Sequence, residues 1–241
     1  VQRMRDPEVR RRILEQKREH RSNLMQQVTQ GFEKMFRLGD PPNYEPAAED
    51  SILAIARREG REPQEVAYDI LLERDGHELI FLPFTNYTER NHEIILEMMK
   101  DDQSLFGLGD GGAHCGLICD ATIPTYLLTH WVRDRNRGER LPLEWIVKRQ
   151  TRDNAEFFGL HDRGTLAPGM KADVNVIDFD RLNLKPPHIV HDLPAGGRRL
   201  VQKAEGYLAT IQSGQVTFEQ GVHSSALPGT LVRGRQKPPA A

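Results

Sequence analysis

The residues best suited to chemistry lie in one glycine-rich stretch, SLFGLGDGGAHCG, at positions 104–116. Asp110 ends a short apolar run, and His114 follows four residues later with only glycine and alanine between them. A carboxylate in that place can ligate a metal ion or act as a general base, and glycine beside it lets a ligand approach the backbone. The aspartate could equally cap a helix or close a turn, and the histidine could be a hydrogen-bonded loop residue. The residue types alone leave both interpretations open.

Two cysteines beside this stretch, Cys115 and Cys119, suggest at first sight a zinc site that includes His114. A structural zinc ion needs four ligands, usually in two closely spaced pairs. The chain contains no second pair, so we exclude a cysteine zinc site. Two cysteines also give no disulfide framework, which is typical of a reducing compartment. The sequence therefore predicts a soluble cytoplasmic protein.

The overall composition argues against nucleic acid and membrane as partners. The 241 residues include 28% charged side chains, yet the formal net charge is only -2. A binding surface for nucleic acid or lipid would carry a clear excess of positive charge. No apolar run approaches the roughly 20 residues that cross a bilayer. In the arginine-rich first segment acidic residues are interleaved, which favours a solvated helix face.

The elements that precede Asp110 alternate between helices and short apolar runs. Apolar spacing predicts helices over residues 1–36, 49–60, 63–76 and 88–102. The runs HELIFLPF and SLFGLGD, on either side of the last of these helices, predict strands. Strand, helix and strand in this order and length predict one βαβ unit with parallel pairing.

The helix between those two strands, TERNHEIILEMMKDD, is amphipathic. We expect one buried face made of Ile94, Ile95, Met98 and Met99. The two methionines are interpreted as core residues, because methionine fills irregular gaps in a core.

After the glycine-rich stretch the character of the chain changes from helical to β-rich. Two helices are predicted, IPTYLLTHWVRDRN and PLEWIVKRQTRDNAEFFGL, and alternation over ADVNVIDFD then predicts a strand. GYLATIQSGQVTFEQG predicts two strands joined by a turn at Ser213-Gly214. The stretch between these parts, residues 181–199, is interpreted as a loop, and the last residues as a disordered tail.

Several motifs of the chain match a known family in their order. TRDNAEFFGLHDRGTLAPGMKADVNVIDFD resembles the closing signature of the amidohydrolase superfamily. The stretches LPFTNY, GLGDGGAHCG, HDLPAGGRRL and ALPGTLVRG are similar to its N-acyl-D-amino-acid deacylase (D-aminoacylase) branch. The resemblance runs from about residue 38 to residue 234.

This resemblance implies an α/β fold: the C-terminal part of a (β/α)8 TIM-barrel metal-dependent hydrolase, with part of a small β-sandwich. Residues 1–160 would be the last βα units with a helical insertion, 161–234 the sandwich segment, and 235–241 the tail. The family's H-x-H pair and its other early ligands are absent from these residues. A whole barrel also needs about 250 residues. We therefore expect a C-terminal portion of a longer enzyme, inactive alone.

The resemblance also assigns roles. Asp110 would be the catalytic residue and a metal ligand, taking a proton from the attacking water and giving one to the leaving amine. His114 would lie on the substrate side. One or two zinc ions would be the cofactor, with most ligands from the missing N-terminal part, and the substrate would be a small N-acyl amino acid. Two alternatives stay open: a cyclic-amide hydrolase of the dihydropyrimidinase or dihydroorotase type, and a non-catalytic truncated interaction protein.

Overall fold

The structure is a computed structural model that describes residues 1–16, 31–107, 109, 116–117 and 119–239. The chain is mixed α/β and divides into two compact units, Val1–Leu96 and Glu97–Ala241. The domain boundary that we expect near residue 160 is based on the family resemblance, whereas these two units are defined by compactness. The expected boundary therefore stays a prediction.

The first unit is mainly helical. Its helices are α1 (Pro7–Leu14), α2 (Ile52–Glu59) and α3 (Pro63–Leu71). The carboxylate of Asp6 caps α1 by accepting two backbone N–H groups of its first turn. Gly60 ends α2 in the left-handed conformation, with φ of 64°. Pro63 occupies the first turn of α3, where its missing N–H costs nothing. The helix predicted over 49–60 is confirmed, whereas the one predicted over 63–76 forms only as far as Leu71, because Arg74 and Asp75 adopt positive φ.

The single helix predicted over residues 1–36 is wrong in its described parts. α1 ends at Leu14, and a short 3-10 turn, Phe32–Lys34, leads into strand β1 (Phe36–Arg37). Residues 17–30 lie outside the described part. Apolar spacing at 32–36 suits a helix, but Phe36 is completely buried and pairs with another strand, so tertiary packing overrides local propensity.

A small apolar core holds this unit together. β1 pairs antiparallel with β2 (Ile80–Phe81), with Phe36 opposite Phe81. The buried side chains that α2, α3 and the chain before β1 contribute are Met35, Ile52, Ala56, Val66 and Ile70. The arginine-rich α1 lies against α3, where Arg10 bonds to Asp69 at 3.4 Å. Arg10 is thus engaged within the protein, and the solvated-face interpretation of the first segment stays a prediction.

The predicted parallel βαβ unit is not formed among the described residues. β2 takes an antiparallel partner, and residues 104–107 have no strand conformation. None of the named strands in the described part pairs in parallel with another. Parallel strands are stable in a larger sheet that is covered on both faces, and a two-residue strand instead pairs with the nearest antiparallel neighbour.

Helix α4 (Glu93–Lys100) forms as predicted, but a different face is buried. Ile94 and Met98 are 41% and 42% exposed, whereas Leu96 and Met99 are buried. The expected face was therefore half wrong. Adjacent apolar pairs at positions 94–95 and 98–99 allow two stripes about 100° apart, and spacing alone does not choose between them.

The second unit begins its helical part after the glycine-rich stretch. The elements are α5 (Ile123–Thr129), a π-helical turn (His130–Asp134), α6 (Leu143–Gln150) and α7 (Arg152–Phe157). Both predicted helical segments are confirmed, with a break at Thr151 in the second. In the described part of the chain, no helix is both long enough and apolar enough to cross a membrane.

The last third is antiparallel β structure, as predicted. β3 (Val174–Ile177), β8 (Tyr207–Gln212), β9 (Gln215–Glu219) and β10 (Val222–His223) form a four-stranded sheet in the order β10-β9-β8-β3. Ser213 and Gly214 join β8 to β9, and both have positive φ, 51° and 79°. That geometry is a type I′ hairpin turn, so the predicted turn is confirmed.

Residues 181–199 are not the loop that we expected. β4 (Asn183–Leu184) pairs with β7 (Ala204–Glu205), and β5 (His188–Leu193) forms a hairpin with β6 (Gly197–Val201). The turn between β5 and β6 contains Ala195 and Gly196, both at positive φ. Alanine rarely takes that conformation, so the residue types did not predict a hairpin turn there.

Two hydroxyl contacts attach this β structure to α5. Thr125 Oγ1 and Tyr207 Oη are 2.8 Å apart, and Thr122 Oγ1 donates to Gln202 Oε1 at 2.5 Å. A third contact comes from the π-helical turn, where Arg133 Nη2 donates to the Leu182 carbonyl at 2.8 Å. The β segment therefore rests directly on the helix that follows the glycine-rich stretch.

Candidate functional site

The two predicted site residues, Asp110 and His114, lie outside the described residues, as does Cys115. Their predicted roles stay predictions. What the structure does describe is the chain that leads to them, residues 101–107 and Gly109, and the chain that follows, from residue 116.

The approach to Asp110 is a turn followed by an irregular segment. Asp101 ends the preceding helix and organises the turn: its Oδ1 accepts the N–H of Gln103 at 2.7 Å. Its carbonyl accepts the N–H of Ser104 at 3.1 Å and the Ser104 hydroxyl at 2.9 Å. The segment is thereby fixed at its start by its own local hydrogen bonds.

A buried arginine of α6 holds the same segment from the side. Arg149 Nη2 donates to the Ser104 carbonyl at 2.6 Å, to the Ser104 hydroxyl at 3.0 Å and to the Asp101 carbonyl at 3.2 Å. Its guanidinium lies over the rings of Phe106 and Trp145, at 5.1 and 5.5 Å from their centroids. The side chain is 9% exposed, so these groups replace most of its water.

The charge of this arginine is balanced by a carboxylate on the next helix. Arg149 Nη1 lies 3.5 Å from Asp153 Oδ2, and the other carboxylate oxygen, Oδ1, pairs with Lys148 Nζ at 2.8 Å. A buried guanidinium is tolerated when it is both paired and hydrogen-bonded. Its Nε has no hydrogen-bond partner among the described atoms, so the contacts that hold it are made by the terminal nitrogens and the ring faces.

An asparagine of α7 binds the far end of the segment. Asn154 Nδ2 donates to the Phe106 carbonyl at 2.5 Å and to the Gln150 carbonyl at 3.3 Å. Three carbonyls of the segment, those of Asp101, Ser104 and Phe106, are thus bound by two side chains of one helical pair. Phe106 precedes Asp110 by four residues.

The described glycine beside Asp110 is not required by the surrounding protein. A Cβ placed on Gly109 would come no closer than 3.9 Å to the ring of Pro124, an ordinary contact. Its φ is not in the left-handed region. Packing and backbone conformation therefore do not explain this glycine.

A second pair of chemically active side chains is buried in Val1–Leu96. Glu45 and His92 are 3% and 7% exposed. Glu45 Oε1 accepts the backbone N–H of His92 at 2.8 Å, and Glu45 Oε2 is 3.8 Å from His92 Nδ1. The ring of Tyr87 packs against the imidazole, with centroids 5.1 Å apart. Carboxylate and imidazole are the donor types of a zinc site, but a catalytic zinc takes three protein ligands, so within the described residues of this unit the pair does not form a metal centre by itself.

The remaining described cysteine behaves as a structural thiol. Cys119 is free and half-buried. Burial, with a smaller contribution from the charge of Asp120, raises the pKa of the Cys119 thiol above its usual value. A protonated thiol is a weak nucleophile, so Cys119 is not poised to react at neutral pH.

Sequence reasoning missed Arg149, Asn154 and Glu45. Arg149 could have been found, because it lies three and four residues after Ile146 and Trp145, on the apolar stripe of α6. A charged residue at a core position of an amphipathic helix needs buried partners. Nothing in the sequence distinguishes Asn154 or Glu45 from other polar residues.

Comparison with known proteins decides the family. The model of the amidohydrolase family matches residues 12–218. The chain belongs to the amidohydrolase family. The match includes the glycine-rich stretch and the closing signature, so the membership that the motifs predict is confirmed. Two solved structures of D-aminoacylase are similar to the chain: one crystal structure (20% identity, TM-score 0.41) and one mutant in complex with copper chloride (19%, TM-score 0.40).

These amidohydrolase relatives are considerably longer than the chain. Each D-aminoacylase match covers 80% of this chain and 36% of the other. Curated relatives from two strains of Desulfitobacterium hafniense, DSM 10664 / DCB-2 and Y51, are described as 5-methylthioadenosine/S-adenosylhomocysteine deaminases. They are 41% identical over 66 residues, which is 25% of this chain and 15% of their own length. The chain therefore spans about a third of the solved relatives.

Proposed function

We propose that this chain is part of a metal-dependent amide hydrolase that converts N-acyl-D-amino acids into a carboxylate and a D-amino acid. The observation that supports it is the family match over residues 12–218, which includes both the Asp110 stretch and the closing signature. The choice of N-acyl-D-amino acids rests on the sequence stretches GDGGAHCG and HDLPAGG.

In this proposal Asp110 is the proton-transfer residue of the reaction. Its carboxylate takes a proton from the attacking water and returns one to the leaving nitrogen, which otherwise departs as a strongly basic amide anion. His114, four residues on, lies on the substrate side. Zinc, as one or two ions, would polarise the amide carbonyl and acidify water when bound. The remaining ligands would come from polypeptide outside these 241 residues.

The proposal includes the expected architecture and setting. Residues 1–160 would supply the last βα units of a (β/α)8 barrel, and residues 161–234 the C-terminal part of a β-sandwich. The antiparallel sheet of β3, β8, β9 and β10 supports the second assignment. The use of only two cysteines supports a cytoplasmic enzyme of small-molecule substrates.

A second candidate function follows from the curated relatives. They are described as deaminases of 5-methylthioadenosine and S-adenosylhomocysteine, and they are 41% identical to this chain over 66 residues. Hydrolytic deamination and amide hydrolysis both add water to a carbon that bears a nitrogen leaving group. The same aspartate could serve either reaction, so the substrate, not the mechanism, separates the two candidates.

The test uses the natural protein that carries this chain, with Asp110→Asn and the matched control Asp102→Asn. Asp102 is an exposed aspartate of the same region. Because general acid–base catalysis contributes about 10²–10⁴-fold, we expect Asp110→Asn to lose at least about 100-fold in kcat on N-acetyl-D-amino acids. The control should keep its rate. N-acetyl-L-amino acids and 5-methylthioadenosine are assayed in parallel.

Three results decide between the candidates. Turnover of the D-substrates that depends on Asp110 supports the proposal. Turnover of 5-methylthioadenosine alone favours the deaminase. Near-normal activity of Asp110→Asn would remove the catalytic role of this residue in both reactions.

A further inference from the structure

Among the described residues, the hydrogen bonds closest in sequence to Asp110 are made by one helical pair. α6 and α7 contribute Arg149 and Asn154, and both bind backbone carbonyls of residues 101–106. Side chains that bind backbone carbonyls fix the path of the chain, whatever side chains the chain itself carries. These contacts therefore determine where the segment that continues into Asp110 is held.

We propose that Arg149 and Asn154 are positioning residues, which fix the backbone of residues 101–106 and thereby set the place of Asp110 relative to the substrate. The inference rests on the proposed function, because it needs Asp110 to be the proton-transfer residue. Neither side chain is assigned to contact substrate or metal.

The geometry makes Arg149 a specific anchor and not a general core residue. One nitrogen, Nη2, is within 3.2 Å of three oxygens that belong to two residues of the segment. The planar guanidinium also lies against the rings of Phe106 and Trp145, which contact each other edge to face. Lysine offers neither the fork nor the flat face. The arrangement thus holds both the backbone and the Phe106 ring.

Asn154 holds the end of the segment that is closest to Asp110. Its amide reaches the Phe106 carbonyl at 2.5 Å, and only three residues separate that carbonyl from Asp110. Displacements of about 1 Å at a reacting group can cost about 100-fold in rate. Loss of this single hydrogen bond is therefore expected to reduce kcat without removing any group that touches the substrate.

The experiment compares two near-isosteric variants with a control on the same helix. Arg149→Met keeps an apolar side chain against the two rings but removes every donor. Asn154→Asp keeps the shape and replaces the donor with an acceptor that repels the Phe106 carbonyl. The control is Arg152→Gln, an exposed side chain of α7 whose ion pair is with Glu156 on the surface.

Two readouts are taken on the natural protein that carries this chain. Hydrogen exchange of the peptide over residues 101–107 is expected to quicken at least tenfold in Arg149→Met and Asn154→Asp, whether or not metal is bound. The kcat is expected to fall 10- to 100-fold, while KM changes less than threefold. Arg152→Gln should change neither. If Arg149→Met does not fold, Asn154→Asp, which leaves the buried guanidinium in place, decides the question.

The outcomes separate this inference from the proposed function. An active Asp110→Asn would remove the catalytic role of Asp110, on which this inference rests. If Asp110→Asn is inactive while Arg149→Met and Asn154→Asp keep their kcat, the positioning roles are wrong and the function stands. Faster exchange with unchanged kcat also overturns them, since the segment would then be loosened with no effect on Asp110. A loss that appears in KM and not in kcat contradicts them as well.

Discussion

Replacing Ile52 by alanine tests the core of the first unit most directly. Ile52 begins α2, its side chain is completely buried, and it belongs to the core with Met35, Ala56, Val66 and Ile70. This core holds the chain just before β1. The substitution removes three carbon atoms and adds no polar group, so its effect reports packing alone.

The expected loss in the free energy of unfolding follows from the burial of Ile52. Three buried carbons at about 0.8 kcal/mol each correspond to about 2.4 kcal/mol of lost transfer free energy. The cavity left behind brings the total to about 3–4 kcal/mol, within the range for buried Ile→Ala changes. Ile52→Val, which removes one carbon, should cost about 1 kcal/mol. The series therefore predicts a graded loss in the free energy of unfolding.

The assay must report on Val1–Leu96 itself. Both tryptophans, Trp131 and Trp145, lie in the second unit, so their fluorescence reports on that unit first. Hydrogen exchange of peptides from α2 and α3 measures the first unit directly. A loss of about 3 kcal/mol corresponds to exchange more than about 100-fold faster, because about 1.4 kcal/mol is a factor of ten.

The matched control is Ile94→Ala, the same chemical change at a side chain that is 41% exposed. We expect less than about 0.5 kcal/mol there. Equal destabilisation by Ile52→Ala and Ile94→Ala would refute the assignment of the core, and it would also restore the buried face that the sequence predicts for α4.

Two further predictions concern the second unit. Thr125→Val and Tyr207→Phe should each lower the free energy of unfolding by about 1 kcal/mol, because the two hydroxyls share one hydrogen bond. A double-mutant cycle, measured by denaturation with tryptophan fluorescence, should show coupling of about 0.5–1 kcal/mol. Strictly additive effects of the two substitutions would contradict the hydrogen bond. In Cys115→Ser, where Cys119 is the remaining thiol, alkylation by iodoacetamide at pH 7.5 should be at least about tenfold slower in the folded protein than in urea, since burial raises the thiol pKa. Equal rates would contradict a buried Cys119.

The sequence predicted those elements whose signals are local. The helices at 52–59 and 63–71 begin and end at a cap, a proline and a glycine, which act within one turn. The β8–β9 hairpin is set by Ser213-Gly214, because a two-residue turn with positive φ at both positions is recognisable from its residue types. None of these predictions needs knowledge of distant residues.

The wrong predictions concern features that depend on distant partners. HELIFLPF was correctly expected to contain a strand, but its partner is Phe36, 45 residues away from Phe81, and spacing in one segment does not name the strand that pairs with it. The buried face of α4 depends in the same way on what packs against it. The β5–β6 hairpin was missed for a different reason: Ala195 adopts a conformation that residue type argues against.

Several residues of the closing signature have roles in packing. The signature is therefore weak evidence for any particular chemistry. Asn154 binds the Phe106 carbonyl. A Cβ placed on Gly164 would lie only 2.8 Å from the Cβ of Ala155, so glycine is needed at position 164. Gly159 ends the helix with φ of 68°. These residues are thus explained by how α7 packs against its described neighbours and the segment before Asp110. The signature therefore identifies the family and the scaffold, whereas the chemistry that we propose depends on the glycine-rich stretch. Arg149→Met and Asn154→Asp perturb the scaffold, whereas Asp110→Asn perturbs the proposed proton-transfer group. Together these variants separate defects of the scaffold from defects of the active site.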